Sequence, residues 1–257
     1  MSGAVDGPLI GRTALVTGGG NGLGAAIARA LHAHGADVVL VGRHQEPLAA
    51  TCAELGPGAT WHECDVADPE SVAALASLLE DTDISILVNN AGIPGPIAPL
   101  VEISVEAWDE VFDVNVRGVF LLCRAFLPPM VARGSGDVVN LASVSGKRPL
   151  VRRTPYAASK MAVIGLTATL AFEVGPAGVN VNSLSPGPVA GPRMERNFTL
   201  EADRTGCSYG QAMDAFVSRA ALGRMVTEAE VGAAVVAMLA MPGMCGADID
   251  LSAGMVA

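Results

Sequence analysis

Between residues 13 and 32 the chain passes from Thr13-Ala-Leu-Val-Thr17, a short aliphatic run, through Gly18-Gly19-Gly20-Asn21-Gly22-Leu23-Gly24 into the helix-like Ala25-Ala-Ile-Ala-Arg-Ala-Leu-His32. Strand, glycine turn and helix in immediate succession leave few folds open, because such a unit buries its strand inside a parallel sheet covered by helices. Without Cβ atoms the turn bends sharply and lets a pyrophosphate reach the backbone. The helix start offers unpaired N–H groups and a positive dipole end. A glycine turn with no ligand is the plainer alternative.

The pattern repeats along the chain. A second strand, Asp37 to Val41, ends in Gly42-Arg43-His44, and a third, from Thr60, ends at Asp65 before a helix from about Pro69 to Leu79. The fourth, Ile84 to Val88, runs into Asn89-Asn90-Ala91-Gly92. A helical stretch from about Ser104 then carries Trp108, Phe112 and Asn115 and stops before Gly134. The fifth strand, Val138 to Ala142, ends at Ser143, and a helix opening at Pro155 continues to Gly175. The sixth, Val179 to Leu184, leads into Ser185-Pro186-Gly187-Pro188-Val189. A helix from about Glu228 to Ala240 and a strand at Ile249 to Leu251 close the chain. This alternation predicts an α/β fold: a Rossmann-type doubly wound, mainly seven-stranded parallel sheet with helices on both faces and right-handed crossovers. Without repeats, low-complexity tracts or a linker, residues 1–257 are expected to form one domain. The polar connection at about 191–223, with Met194, Phe198, Tyr209 and Phe216 interspersed, is long enough to be a functional lid.

Composition excludes several classes. The chain is 51% hydrophobic with a mean hydropathy of +0.43, yet no contiguous apolar run reaches the roughly 18 residues of a spanning helix. A buried sheet accounts for the hydrophobicity, and no membrane partner is expected. Met-Ser-Gly-Ala-Val-Asp-Gly has no basic region leading into an apolar core, so no secretion signal is expected. Five scattered cysteines without a Cys-x-x-Cys pair fit reduced thiols and a cytoplasmic location. A net charge of −10 argues against nucleic acid. All four histidines precede residue 63 without metal-ligand spacing, so no metal is expected.

One pair carries chemistry. The chain holds two tyrosines and two lysines, and Tyr156 and Lys160 stand four apart on one face of the helix that opens at Pro155. A free phenol titrates near pH ~10, too high to exchange a proton with a secondary alcohol at neutral pH. A neighbouring ammonium favours the phenolate. Lowering the pKa by roughly two to three units takes about 3–4 kcal/mol of differential stabilisation. Ser143, at a carboxyl-terminal strand edge, lies where open α/β sheets bind ligands. Alone, Tyr and Lys at this spacing are more often a surface pair.

The ordered set Thr17-Gly18-x-x-x-Gly22-x-Gly24, Asp65-Val66, Asn89-Asn90-Ala91-Gly92, Asn115, Ser143, Tyr156-x-x-x-Lys160 and Pro186-Gly187 resembles the short-chain dehydrogenase/reductase family, in its single-domain branch. The resemblance spans nearly the whole chain. It implies that Tyr156 is the general acid/base and that Lys160 lowers its pKa and holds the nicotinamide ribose. Ser143 would bind the same substrate oxygen, and Asn115 would hold a helix irregularity and a relay water. It further implies that Gly18, Asn21, Gly22, Leu23 and Gly24 line the pyrophosphate, Asp65 and Val66 the adenine, and Asn89, Ala91 and Gly92 the adenosine side. Pro186, Gly187 and Val189 would face the nicotinamide. Two positions depart from the family pattern. Gly191-Pro192 stands where a threonine often contacts the cofactor, and Ser252-Ala253-Gly254 replaces Asp-Gly-Gly, which is expected to alter only a turn. Homotetramers or homodimers are implied by the resemblance alone.

No acid follows the second strand, where one would accept from a ribose 2′-hydroxyl, and Arg43 suits a 2′-phosphate. NADP is therefore expected over NAD, a solvated Arg43 being the alternative. The expected activity is hydride transfer between a secondary alcohol or ketone, a small-molecule substrate, and the nicotinamide. Reduction of 3-oxoacyl thioesters is the alternative, and a non-catalytic nucleotide-binding regulator a further one. Lys147, Arg148, Arg152 and Arg153 are dense for so acidic a chain. Ser145, Arg152, Arg153, Met194 and Phe198 are the candidate substrate contacts, with Arg152 or Arg153 meeting an anionic or polar group; a solvated loop or subunit ion pair is the alternative.

Overall fold

A computed structural model describes residues 7–255, Pro192 and Arg193 by backbone alone. Seven parallel strands form one sheet in the order β3-β2-β1-β4-β5-β6-β7. They are β1 (Thr13–Thr17), β2 (Asp37–Gly42), β3 (Ala59–Glu63), β4 (Ile84–Asn89), β5 (Gly136–Leu141), β6 (Val179–Pro186) and β7 (Asp248–Leu251). The order reverses between β1 and β4, which opens a crevice at the carboxyl ends of the central strands.

Side-chain alternation divides the sheet between two helix layers. Leu15, Val39, Val41, Leu87 and Val138 share a core with α3 (Pro69–Leu78), α5 (Gly118–Arg133) and α6 (Thr154–Val174). Ala14, Val16, Val38, Leu40, Ile86, Val88, Val139 and Leu141 share the other with α1 (Gly22–Ala33), α2 (Gln45–Leu55) and α9 (Glu228–Leu239). Central strands buried on both faces need aliphatic residues at every position, and each fully buried Leu or Ile is worth roughly 1.5–3 kcal/mol relative to exposure.

Three differences from the sequence reading have local causes. β3 stops at Glu63, not Asp65, because Asp65 turns the chain: its Oδ1 accepts from Ala67 N at 3.0 Å, and its own N–H donates to Ser71 Oγ at 3.1 Å. The stretch after Ser104 is not one α-helix: α4 (Val105–Phe112) and α5 are joined by a π-helical turn, Asp113–Arg117, centred on Asn115. The polar connection at 191–223 holds α7 (Pro192–Thr205) and α8 (Tyr209–Val217). Gly206 ends α7 at φ +71°, and a Ser208/Gln211 capping box starts α8.

Helical stretches Val105–Arg133 and Thr154–Ala177 are each long and apolar enough to cross a bilayer, although no contiguous apolar run is. Hydropathy averaged along a helix tolerates polar interruptions such as Asn115, Ser159 and Lys160, all buried here. One face of each stretch supplies Leu121, Leu122, Phe126, Val163 and Ala171 to the core. The other exposes Phe120, Met161 and Phe172, the last 86% exposed.

Candidate active site

The segments leaving β1, β4, β5 and β6 converge on one cleft of about 1100 Å³. Gly18 and the turn residues Asn21 to Gly24 form one end, Ala91 and Gly92 a wall, and Ser143, Ser145 and Tyr156 the other end. Pro186, Gly187, Val189 and Met194 lie along the facing side.

Gly18 and Gly24 leave no room for a larger residue. A Cβ on Gly24 would sit 2.0 Å from Gly18 O, and Gly18 itself has φ +66°. The Thr17 hydroxyl ties the ends of β1 and β4 by accepting from the Asn90 and Ala91 N–H groups, each at 3.0 Å. The result is a narrow backbone cradle at the start of α1, with the shape and donors that a pyrophosphate needs.

At the other end Ser143 follows β5 by two residues, and its Oγ accepts from Ser145 N at 3.1 Å, capping a short 3-10 turn. Tyr156 lies in the first turn of α6, which starts at Thr154. Lys160, 6% exposed, donates to Leu141 O at 2.7 Å, and its Nζ is 5.9 Å from the centroid of the Tyr156 ring. Asn115 Oδ1 accepts from Ile93 N at 2.8 Å; its Nδ2 donates to Ile93 O and to Ser159 Oγ, both at 3.0 Å. Ser159 Oγ in turn donates to Tyr156 O at 2.8 Å. Asn115 and Lys160 meet behind Gly92, where a Cβ would lie 3.1 Å from Asn115 Oδ1 and 3.5 Å from Lys160 Nζ. The π-turn is thus pinned to the loop after β4 and to α6 by one amide.

Three expected contacts turn away from the cleft, and three more lie outside its lining. Asn89 turns away from the cleft: 3% exposed, its Nδ2 donates to Asn140 Oδ1 at 2.8 Å and to Cys123 Sγ at 3.5 Å, and its neighbour Asn90 lines the cleft instead. Burial beside it pushes the Cys123 thiol up to about 12, against the opposing hydrogen bond from Asn89. Phe198 is buried between α7 and α8, edge-on to Tyr209 at 5.9 Å and to Phe216 at 5.3 Å, and does not line the cleft. Arg152 is exposed outside the lining, at φ +65°, its carbonyl accepting from Ala98 N. Arg43 is exposed just past β2, and Asp65 and Val66 follow β3, all outside the cleft lining.

The basic run disperses on folding. Lys147 pairs with Asp248 and Asp250; burial opposes its charge, but the two carboxylates outweigh that and raise its pKa. Arg148 donates to Met255 O and Arg153 to Pro94 O, each at 3.1 Å, and both line the cleft. Arg196, Arg219 and Met255 also line it, and no local sequence pattern singled them out. Among the described residues no group of three or more His, Cys, Asp or Glu could hold a metal.

Residues 12–202 match the family described as short chain dehydrogenase. A putative ketoacyl reductase of the granaticin polyketide synthase of Streptomyces violaceoruber is 40% identical over 229 residues, 86% of this chain and 84% of its own length. A 3-alpha-(or 20-beta)-hydroxysteroid dehydrogenase of Mycobacterium tuberculosis is 40% identical over 190 residues, 73% of each protein. Among solved structures, a variant actinorhodin polyketide ketoreductase with NADPH superposes with a TM-score of 0.89 at 33% identity, covering 95% of this chain and 97% of that one. An NAD+-bound xylitol dehydrogenase gives the same TM-score, 0.89, at 29% identity, covering 96% and 100%.

Proposed function

The chain belongs to the short-chain dehydrogenase family and is an NAD(P)-dependent oxidoreductase; we propose that it interconverts a secondary alcohol and a ketone, with Tyr156 as general acid/base. The observation that carries the reading is that Ser143 and Tyr156 line the same cleft as the glycine cradle, with Lys160 buried behind the phenol.

A nicotinamide dinucleotide would supply or accept hydride here, and Gly18, Asn21, Gly22, Leu23 and Gly24 would hold its pyrophosphate by backbone. Tyr156 gives its proton to the carbonyl oxygen in reduction and takes it back in oxidation. Ser143 donates a hydrogen bond to that oxygen and fixes its distance from the phenol. Lys160 stabilises the phenolate form by charge. Asn115 keeps the loop after β4, the π-turn and α6 in one register. α7 and α8, within 191–223, form the lid, with Met194 as its contact to the ligand.

Arg43, exposed just past β2, supports NADP over NAD; of the two solved neighbours above, the ketoreductase is NADPH-bound and the xylitol dehydrogenase NAD+-bound. Titration with NADPH and NADH, followed by nicotinamide fluorescence, tests this with Arg43→Ala alongside. A preference for NADPH that collapses in the variant is expected; equal binding, indifferent to Arg43, refutes it. The ketoacyl reductases among the relatives favour a second reading, reduction of 3-oxoacyl thioesters. Side-by-side rates on a thioester and a free ketone separate the two. A purely regulatory nucleotide sensor would have no use for the phenol–ammonium pair. The exposed Phe120, Met161 and Phe172 on α5 and α6 support a homotetramer or homodimer, which light scattering tests. A monomer at micromolar concentration refutes it.

A further inference from the structure

We infer that the substrate carries an anionic group, a carboxylate or a phosphate, recognised by arginines that line the cleft; this rests on the oxidoreductase reading above. Among the described residues Arg148, Arg153, Arg196 and Arg219 line the cleft, against one acid, Glu228. The chain as a whole has the opposite balance, 26 acidic to 16 basic residues, so composition does not produce a cationic lining. Glu228 belongs to the glycine-turn end: its Oε1 would lie 3.8 Å from a Cβ on Gly22 and 3.5 Å from one on Gly191. Arg148 and Arg153 stand on the segment joining Ser143 to Tyr156, and Arg196 and Arg219 on the α7–α8 side.

Of the nine arginines outside the cleft whose side chains are described, six are paired with a carboxylate, and Arg43, Arg124 and Arg152 are exposed to solvent. Arg148, Arg196 and Arg219 meet none among the described residues. The Arg148 partner is a neutral carbonyl, Met255 O. Arg219 stacks with its guanidinium carbon 4.7 Å from the Phe216 ring centroid. A guanidinium held by its face against a ring keeps its planar fork of N–H donors available, and that fork matches the two oxygens of a carboxylate or phosphate. Cations held by neutral groups, on both sides of a cleft that ends at Ser143 and Tyr156, are an anion-recognition arrangement. The reacting carbonyl lies at one point of the ligand and the charge at another.

The test compares matched ketones at saturating cofactor: 4-oxopentanoate against its methyl ester, and dihydroxyacetone phosphate against dihydroxyacetone. The expected result is a preference in kcat/KM of about tenfold or more for the anion in at least one pair, the scale of one charge-assisted hydrogen bond. Preference in the first pair identifies a carboxylate, in the second a phosphate. Arg148→Gln, Arg196→Gln and Arg219→Gln are then measured singly, and at least one should reduce the preference to within about twofold of unity. Equal rates within both pairs, no turnover of either anion, or a preference that all three variants retain overturns the inference. So does a loss that appears as weaker dinucleotide binding, since the arginine would then serve the cofactor. Failure of the oxidoreductase reading shows separately, as absent dinucleotide binding or as turnover that survives Tyr156→Phe.

Discussion

Ser159→Ala isolates the bond that joins Asn115 to the helix carrying Tyr156. The Ser159 hydroxyl is fully buried; it donates to Tyr156 O at 2.8 Å and accepts from Asn115 Nδ2 at 3.0 Å. Its removal leaves Asn115 Nδ2 one partner, Ile93 O at 3.0 Å, so the amide is not wholly orphaned. The cost therefore falls in the lower half of the range for an unsatisfied buried polar group, about 1–2 kcal/mol. In a chain of this size that lowers Tm by roughly 2–8 °C. Because Asn115 also fixes the loop at Ile93, loosening it misplaces the floor under the reacting atoms. We expect kcat to fall by about tenfold, well short of the ~10²–10⁴-fold expected for Tyr156→Phe. Urea denaturation reads the first effect, and steady-state rates with Tyr156→Phe alongside read the second. A variant within ~0.5 kcal/mol of the parent, with unaltered kcat, would show that the bond does not support the site. A rate loss equal to that of Tyr156→Phe without destabilisation would place Ser159 in the chemistry and refute the positioning argument equally.

Gly24→Ala puts a Cβ 2.0 Å from Gly18 O, forcing backbone apart on both sides of the turn, and should weaken dinucleotide binding about 100-fold or more; fluorescence titration at parental affinity would contradict the cradle. The Cys123 thiol, pushed up to about 12 by burial, is protonated at pH 8, whereas Cys245 is exposed. Mass spectrometry after native alkylation should find Cys245 labelled and Cys123 untouched until denaturant is added; equal labelling would contradict the burial. Glu230 is held down to about 2 from 4.5, first by the side-chain hydrogen bond from Arg224 and then by Thr227. A folded pKa below the unfolded one contributes stability above pH 4.5 that is lost as pH falls through about 2, so Glu230→Gln should flatten the melting-temperature profile across that window. Parallel profiles for parent and variant would contradict it.

The sheet was legible because hydrophobic runs and glycine punctuation are local signals: β1 and the starts of β2, β4 and β6 follow directly from them, while β3, β5 and β7 begin one or two residues before the runs at Thr60, Val138 and Ile249. What escaped depended on direction and on tertiary contact. The family resemblance puts Asn89 at the cofactor, yet strand alternation places it on the face of Leu87, which belongs to the α5 core, and gives the cleft to Asn90. The polarity of 191–223 suggested a loop, but Phe198, Tyr209 and Phe216 supply a small aromatic core for two capped helices. The π-turn has no signature in composition and is expected only through the resemblance, which assigns Asn115 a helix irregularity. It exists because one amide, Asn115, satisfies both backbone groups of Ile93 twenty-two residues away.

The basic run at 147–153 shows why adjacency in sequence is a poor guide to the field in a cleft. The segment follows β5 and contacts β7 through Lys147 and the loop after β4 through Arg152 and Arg153, so successive side chains leave it in different directions. Lys147 is neutralised by Asp248 and Asp250, Arg152 points to solvent, and only Arg148 and Arg153 remain at the cleft. The other two cations arrive from Arg196 in α7 and Arg219 in the turn after α8, which no nearby motif announces. Four charges assembled from distant segments, three of them without a carboxylate among the described residues, carry a desolvation cost. An anionic ligand offsets that cost and a neutral one does not. The preference for an anionic substrate should therefore sharpen as ionic strength falls.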